Sequence, residues 1–573
     1  MSIGRSMLCL ALLCLGCGDP NPVGDDGYGE PPPEGPWSGV WNRYHIASTS
    51  DNAMVLSMGG HMATAAGMDM LRQGGNAADA VLAASMTHIV HLAGLAVSFG
   101  GVFSMVYYDA GSGQVQSLNA GFRVPVLETN PLTIPTSASG RSAMVPGFFA
   151  GVQAAHDNFG RLPFAEIFQP AIELAANGFP MPAWLVNVVD ENWYILSRQT
   201  EAVAVFTQPD GTRFRAGELF TQPLLAETLR RVAAEGAGYI YEGEWAQKFV
   251  RVIQREGGRI QMDDMVGYTA NLAPATHTTF NGYDIYSIGL PAPGGVGIIE
   301  AFNLIELSDL DSTSHYIHSA EDLLQFIRIV RVGPMYRNFL NASMIAESFF
   351  PGSDFSQTNR LTKAGAQVTW SKLHTGEWYD LERVVAATGG QTNHTAAELV
   401  VDDAGNVAAG VHTINTGAWG NTGIFVDGVS IPDIAAHAQA PMAIEGPGNY
   451  HYDDICPSIV LRDGRPVLAA GSAGYGLHSV NIQNTYNILA HGLSPSASMD
   501  LPKVLYARWW GSIPQRILRG SFGEDVISWI RAQGQPLEVV DDPGQAWAGI
   551  KMTYQDGGVR LLGATAHGDI DGY

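Results

Sequence analysis

Gln391-Thr392-Asn393-His394-Thr395-Ala396-Ala397-Glu398-Leu399-Val400-Val401-Asp402 places a threonine directly before a strand-like run. Asp402-Asp403-Ala404-Gly405-Asn406 then reads as a turn, and Val407 to Asn415 as a second strand. A threonine hydroxyl in mid-chain is a poor nucleophile. Cutting the peptide bond before it frees an α-amino group that can act as its general base. Thr395 at the head of a strand, with polar Thr413 and Asn415 on the next strand of the hairpin, has the layout such a nucleophile needs. Taken alone, the stretch also fits an ordinary hairpin with solvent-facing threonines.

The chain has 573 residues, 46% of them apolar, and a net charge of −24. Length and composition suit a large globular body or two to three domains. The negative charge argues against nucleic-acid partners and against electrostatic docking on anionic lipid. The N-terminus reads as an export signal. Arg5 precedes an apolar core, Met7 to Leu15, that is too short to span a bilayer, and Leu15-Gly16-Cys17 is similar to a bacterial lipoprotein cleavage site. Residues 18–44, rich in Gly, Pro and acidic side chains, read as a disordered tether. The expectation is an exported periplasmic or cell-surface lipoprotein, lipidated at Cys17 and touching membrane only through that anchor. Cys9, Cys14 and Cys17 belong to the signal region, so Cys456 is alone in the body and no intramolecular disulfide is expected there. No Cys/His set has zinc spacing; His88 and His91, three apart on an apolar run, read as a helix end or core packing. No metal or cofactor is expected.

Along the body, Met54–Ser57 reads as a strand, Met62–Arg72 and Ala77–Met86 as helices, and 100–109 with 115–119 as a hairpin. Residues 141–270 and 300–340 read as mainly helical. Residues 395–426 and 457–470 read as strands, 480–492 and 525–533 as helices, and two short strands close the chain. Strands at both ends with helices between suggest a mixed sheet system under helical layers.

From about residue 45 onward the chain resembles the γ-glutamyltransferase family of N-terminal nucleophile hydrolases. The resemblance rests on ordered segments: Ala63-Thr-Ala-Ala-Gly67, Leu71-Arg-Gln-Gly-Gly-Asn-Ala-Ala-Asp-Ala80, Ser98-Phe-Gly-Gly-Val-Phe103, Leu118-Asn-Ala-Gly-Phe-Arg-Val-Pro125, Val145-Pro-Gly147, Asn177-Gly-Phe-Pro180, Tyr283-Asp-Ile-Tyr-Ser287 and Pro291-Ala-Pro-Gly-Gly295. It implies an α+β fold, the αββα four-layer sandwich. It also implies self-cleavage between His394 and Thr395, giving a large subunit, 45–394, and a small subunit, 395–573. Thr395 would be the nucleophile, with Thr413 and Asn415 contacting it and the substrate. Gly474 and Tyr475 would supply oxyanion-hole N–H groups, and Arg123 would pair with the substrate α-carboxylate. Thr392 is the competing nucleophile, because Gln391-Thr-Asn-His394 is similar to the family's Gln-Thr-Thr-His. That choice would insert three residues into a core strand and turn its later side chains to the other face.

The departures from the family pattern cluster at the substrate site. Asp453 and Asp454 stand where the family has paired serines, and would repel a substrate carboxylate unless protonated or facing a cation. Tyr475 replaces the second oxyanion glycine, and Ala397 replaces a histidine. Asp433 meets the substrate amino group only with a one-residue shift. The leading expectation is a γ-glutamyltransferase or hydrolase that cleaves γ-glutamyl amides such as glutathione and passes the acyl group to water or an amine. The alternatives are an acylase of the same fold with a non-glutamyl donor, and a non-catalytic envelope lipoprotein. No Gly-x-Ser-x-Gly elbow supports a serine hydrolase.

Overall fold

The computed structural model describes residues 45–308, 310, 315–339, 354–373, 395–474, 477–505, 515–541, 545–555 and 558–573. The signal, the tether, His394 and Tyr475 lie outside the described residues.

The hairpin at Thr395 forms as its sequence indicates. Strands Thr395–Val401 and Val407–Thr413 pair antiparallel, with Thr395 opposite Thr413 and Val401 opposite Val407. They are the middle of a seven-stranded sheet in the order Asp569–Gly572, Met54–Ser57, Thr395–Val401, Val407–Thr413, Val102–Asp109, Gln114–Ala120, Asn271–Pro274. A second seven-stranded sheet runs Ile46–Ser50, Gly558–Thr565, Gln545–Gln555, Arg465–Gly474, Ser458–Arg462, Tyr283–Ser287, Thr276–Phe280. Every pairing within these two sheets is antiparallel, so the expectation of a mixed sheet is corrected. Among the described residues, the one parallel pairing joins Gln515–Leu518 to Leu537–Val540 in a small separate sheet. The chain closes on three strands rather than two short ones, and Gln545–Gln555 with Gly558–Thr565 form a long hairpin.

Period-two alternation explains the layering. Leu399, Val401, Val407 and Ala409 face the second sheet and cluster with Ile459, Leu461, Ala469 and Ile550. Ala396, Val400 and Ala408 face the opposite way, into a core shared with helices Ala77–His91 and Phe148–Phe159. Helices Pro293–Leu307 and Leu477–His491 cover the outer face of the second sheet. The result is the αββα sandwich.

The Gly-Gly-Asn-Ala-Ala-Asp segment is structural. Asn76 caps helix Ala77–His91, accepting from the Ala78 and Asp79 N–H groups, while Asp79 returns a bond to the Asn76 N–H. Asn76 Nδ2 also donates to the Phe159 carbonyl, and the Ala77 N–H donates to Asp402 in the turn of the central hairpin. The start of the helix is thereby tied to the strands beneath it. Replacing Asn76 with Ala should cost about 1–2 kcal/mol in urea unfolding, the range for a lost N-cap.

Lys503 is buried, and its Nζ donates to the Ser498 and Leu501 carbonyls. Burial lowers its pKa from 10.5 to about 7, with Asp500 opposing weakly. Between those values the unfolded chain holds a proton that the folded chain has released, so stability rises with pH across that window. Lys503→Met should unfold at higher denaturant than the wild-type chain at pH 7. That advantage should shrink by up to about 1.4 kcal/mol per pH unit on raising the pH toward 10.

Candidate active site

Strand register gathers the candidate residues at one end of the sandwich. Thr395 pairs with Thr413, Thr413 with Val102, and Phe103 with Ala120. The head of the Thr395 strand, the end of its hairpin partner and the end of strand Gln114–Ala120 therefore lie side by side. Arg123 follows just beyond.

Thr395 is half-buried, and its Oγ1 donates to Thr413 Oγ1 at 3.3 Å. Thr413 Oγ1 also accepts from the Asn415 N–H at 2.9 Å. Asn415 is not on the strand, as the spacing suggested. It lies two residues past the strand's end with φ 55°, a left-handed conformation that Asn tolerates better than most residues. The Thr413 carbonyl packs against Gly101, where an added Cβ would stand 2.3 Å from it. The Gly101 carbonyl in turn accepts from the Gly147 and Phe148 N–H groups. The glycine-rich turn and the Val145-Pro-Gly147 segment thus shape the floor behind the threonine pair.

The second sheet contributes from above. Ala469 clusters with Leu399 and Val401, while an added Cβ on Gly471 would stand 2.7 Å from that of Ala397. Strand Arg465–Gly474 therefore crosses antiparallel and brings Gly474 toward the Thr395 end. Gly474 has φ 78°, the left-handed region that favours glycine. Ile455 packs on Ala397 and Val411, which seats Asp453 and Asp454 beside the same hairpin. Asp453 is buried, and its Oδ1 accepts from the Asp454 N–H at 2.6 Å.

Two recognition residues are engaged by their own chain. Strand Phe122–Arg123 pairs with Tyr450–His451, leading into Asp453. Arg123 Nε donates to the Gly448 carbonyl and Nη1 to the Asp264 carbonyl, each at 3.0 Å. Asp433 is buried and accepts from Thr416 Oγ1 at 2.5 Å on one oxygen, with His437 Nε2 at 3.1 Å on the other. Burial opposes its charge, but His437, Thr416 and the Asn421 N–H prevail and hold the carboxyl below its ordinary range. Asp433 Oδ1 thus ties down Thr416, and Oδ2 meets His437 one helical turn further on.

Sequence reasoning missed a buried trio behind the hairpin. Glu398 Oε1 lies 2.9 Å from His88 Nδ1 and 3.2 Å from His412 Nε2. Burial pushes the Glu398 pKa up, but hydrogen bonds from His412 and His88 outweigh it and bring it to about 2. Burial lowers the His412 pKa. A glutamate within a strand otherwise apolar on both faces was the available signal. His88 packs in the core as expected, but its partners are Glu398 and His412, not His91. His394, Tyr475 and Cys17 lie outside the described residues.

A sandwich of this kind, with a threonine heading a central strand at one end, defines an N-terminal nucleophile hydrolase fold. The γ-glutamyltranspeptidase family model matches residues 63–567, and the chain belongs to that family. It is an enzyme of the amide hydrolase and acyltransferase type. It is 24% identical over 538 residues, 89% of each chain, to the glutathione hydrolase proenzyme of Escherichia coli (strain K12). It is 24% identical over 384 residues, 64% of each chain, to the acylase ACY 1 proenzyme of Pseudomonas sp. (strain SE83). The cephalosporin acylase of Bacillus halodurans shares the fold, with a TM-score of 0.74 at 20% identity, covering 92% of this chain and 97% of that one.

Thr413→Val keeps the shape of the side chain but leaves the buried Asn415 N–H without its acceptor. It should cost about 1–3 kcal/mol in denaturant unfolding.

Proposed function

We propose that this chain is a self-processing threonine amidohydrolase and acyltransferase, with Thr395 as nucleophile in both self-cleavage and turnover. The observation that carries the reading is the Thr395–Thr413 hydroxyl contact at the head of the central hairpin, within reach of both sheets. Cleavage between His394 and Thr395 frees the Thr395 amine. That amine takes the Oγ proton as Oγ attacks an amide carbonyl. Backbone N–H groups at Gly474 and Tyr475 stabilise the oxyanion. The amine product leaves with a proton, and the resulting ester passes its acyl group to water or to an acceptor amine. The large subunit ends at His394 and the small subunit begins at Thr395. The body is exported and tethered through Cys17.

For the donor we propose γ-glutamyl amides such as glutathione, in keeping with the glutathione hydrolase name of the E. coli relative. Arg123 Nη2 is then the group offered to the α-carboxylate. A second reading, a non-glutamyl acyl donor, is favoured by one specific observation. Nε and one N–H of Nη1 of Arg123 already serve backbone carbonyls, and Asp433 is held by Thr416 and His437. A two-point fork on a carboxylate then has only Nη2 and the remaining Nη1 N–H to draw on, and the side-on fork through Nε is occupied.

Intact mass and N-terminal sequencing of the wild-type chain and Thr395→Ala test the reading. The wild type should give two chains, the smaller beginning Thr395-Ala-Ala-Glu, and the variant one uncut, inactive chain. A small chain beginning at Thr392 would overturn the assignment, and an uncut wild type would overturn the enzyme mechanism. On the processed protein, hydrolysis of γ-glutamyl anilide but not of simple acyl anilides supports the glutamyl donor, and the reverse preference supports the second reading.

A further inference from the structure

We propose that His88, Glu398 and His412 form a binding site for a divalent transition-metal ion of the zinc class. The three side chains come from three elements: helix Ala77–His91, strand Thr395–Val401 and strand Val407–Thr413. One ligand atom from each lies within 4.8 Å of the others. The two nitrogen-to-oxygen separations are 2.9 and 3.2 Å. Donors bound tetrahedrally at about 2.0–2.2 Å stand roughly 3.3–3.6 Å apart, so a small outward relaxation of the trio would admit an ion. Two imidazoles and a carboxylate are a donor set that zinc accepts.

Burial supplies the second observation. The side chains are 5%, 0% and 1% exposed for His88, Glu398 and His412. Glu398 Oε2 and His412 Nδ1 are buried with no hydrogen-bond partner. Their surroundings are apolar: Ala396, Val400 and Ala408 lie on the same face of the hairpin, and Phe148 meets the His412 ring edge-on at 5.8 Å. A buried carboxylate carries a desolvation cost, and a cation held beside Oε1, where the two histidine nitrogens converge, would offset it. The rings of His88 and His412 stand at 88° to one another, and His88 is fitted against Gly59, where an added Cβ would lie 2.4 Å from its Cγ. His88 Nδ1 and His412 Nε2 converge on Glu398 Oε1 from two differently oriented rings.

The site lies behind the candidate nucleophile rather than beside it. Ala396 and Glu398 face the helices, while Thr395 and Ala397 face the second sheet. The ion would clamp helix Ala77–His91 to the central hairpin, a structural role that does not depend on the reaction proposed above.

The test uses the full chain, stripped with a chelator and reloaded with Zn²⁺ or Co²⁺ alone. Elemental analysis after gel filtration should find one ion per chain, and Co²⁺ should show visible ligand-field bands. Zn²⁺ should raise the thermal unfolding midpoint. Thr395→Ala should bind equally well, whereas Glu398→Gln and His412→Gln should each weaken binding at least about 100-fold. If those variants fail to fold, X-ray absorption at the metal edge of the loaded wild type should still show an imidazole and oxygen shell. A wild type that takes up no ion overturns the proposal, leaving the trio an ion pair that shares a proton. Uptake that is unchanged in folded Glu398→Gln and His412→Gln overturns it as binding elsewhere.

Discussion

The antiparallel register that sets Thr395 opposite Thr413 is the constraint on which the rest of the molecule depends. These two strands are the centre of the first sheet, so their pleat decides what each layer receives. A slip of one residue would turn Thr395 toward the helices and Glu398 into the apolar space between the sheets. Both faces oppose that slip. Leu399, Val401, Val407 and Ala409 are committed to the sheet-to-sheet core, and Glu398 with His412 is committed to His88 on the helix side. A buried carboxylate that has left its histidines would lose its compensation, so the penalty for misregister is electrostatic as well as hydrophobic.

The same register assembles the candidate site from parts distant in sequence. The threonine pair, the Gly101 turn and Arg123 follow one another along the end of the first sheet, while Gly474 and Asp453–Asp454 descend from the second. Close approach is possible because small residues sit at the contacts: Gly471 over Ala397 between the sheets, and Gly101 beside the Thr413 carbonyl within the first sheet. A Cβ at Gly101 would meet backbone, and one at Gly471 would meet the Ala397 side chain.

Around this core the polar groups are used unevenly. Thr395 is half-buried and its hydroxyl meets that of Thr413, whereas Arg123 and Asp433 bond within their own chain. Arg123 and Asp433 thus hold backbone and loop segments in place, and Asp453 and Asp454 stand beside the same hairpin where the family pattern has paired serines.

Much of the architecture was legible in short-range pattern. The strand at Thr395 and its partner follow from two apolar runs around the turn Asp-Asp-Ala-Gly-Asn, and helix Ala77–His91 from an apolar run after Gly-Gly-Asn. These are local signals, complete within a dozen residues, and the ordered family segments extended them to the αββα class. Other features had no local signature. Asn415 leaves the strand because the Thr413 hydroxyl captures its N–H and the backbone turns left-handed, which spacing alone cannot show. Asp433 meets Thr416 and His437 only after the loop closes on itself. His88 and Glu398 are 310 residues apart and meet only when helix and sheet pack. The sequence by itself determined the hairpin, its threonine and the layers that period-two alternation demands. Tertiary structure alone decided which buried polar groups answer one another, because a desolvated charge takes whichever partners packing brings within hydrogen-bond distance.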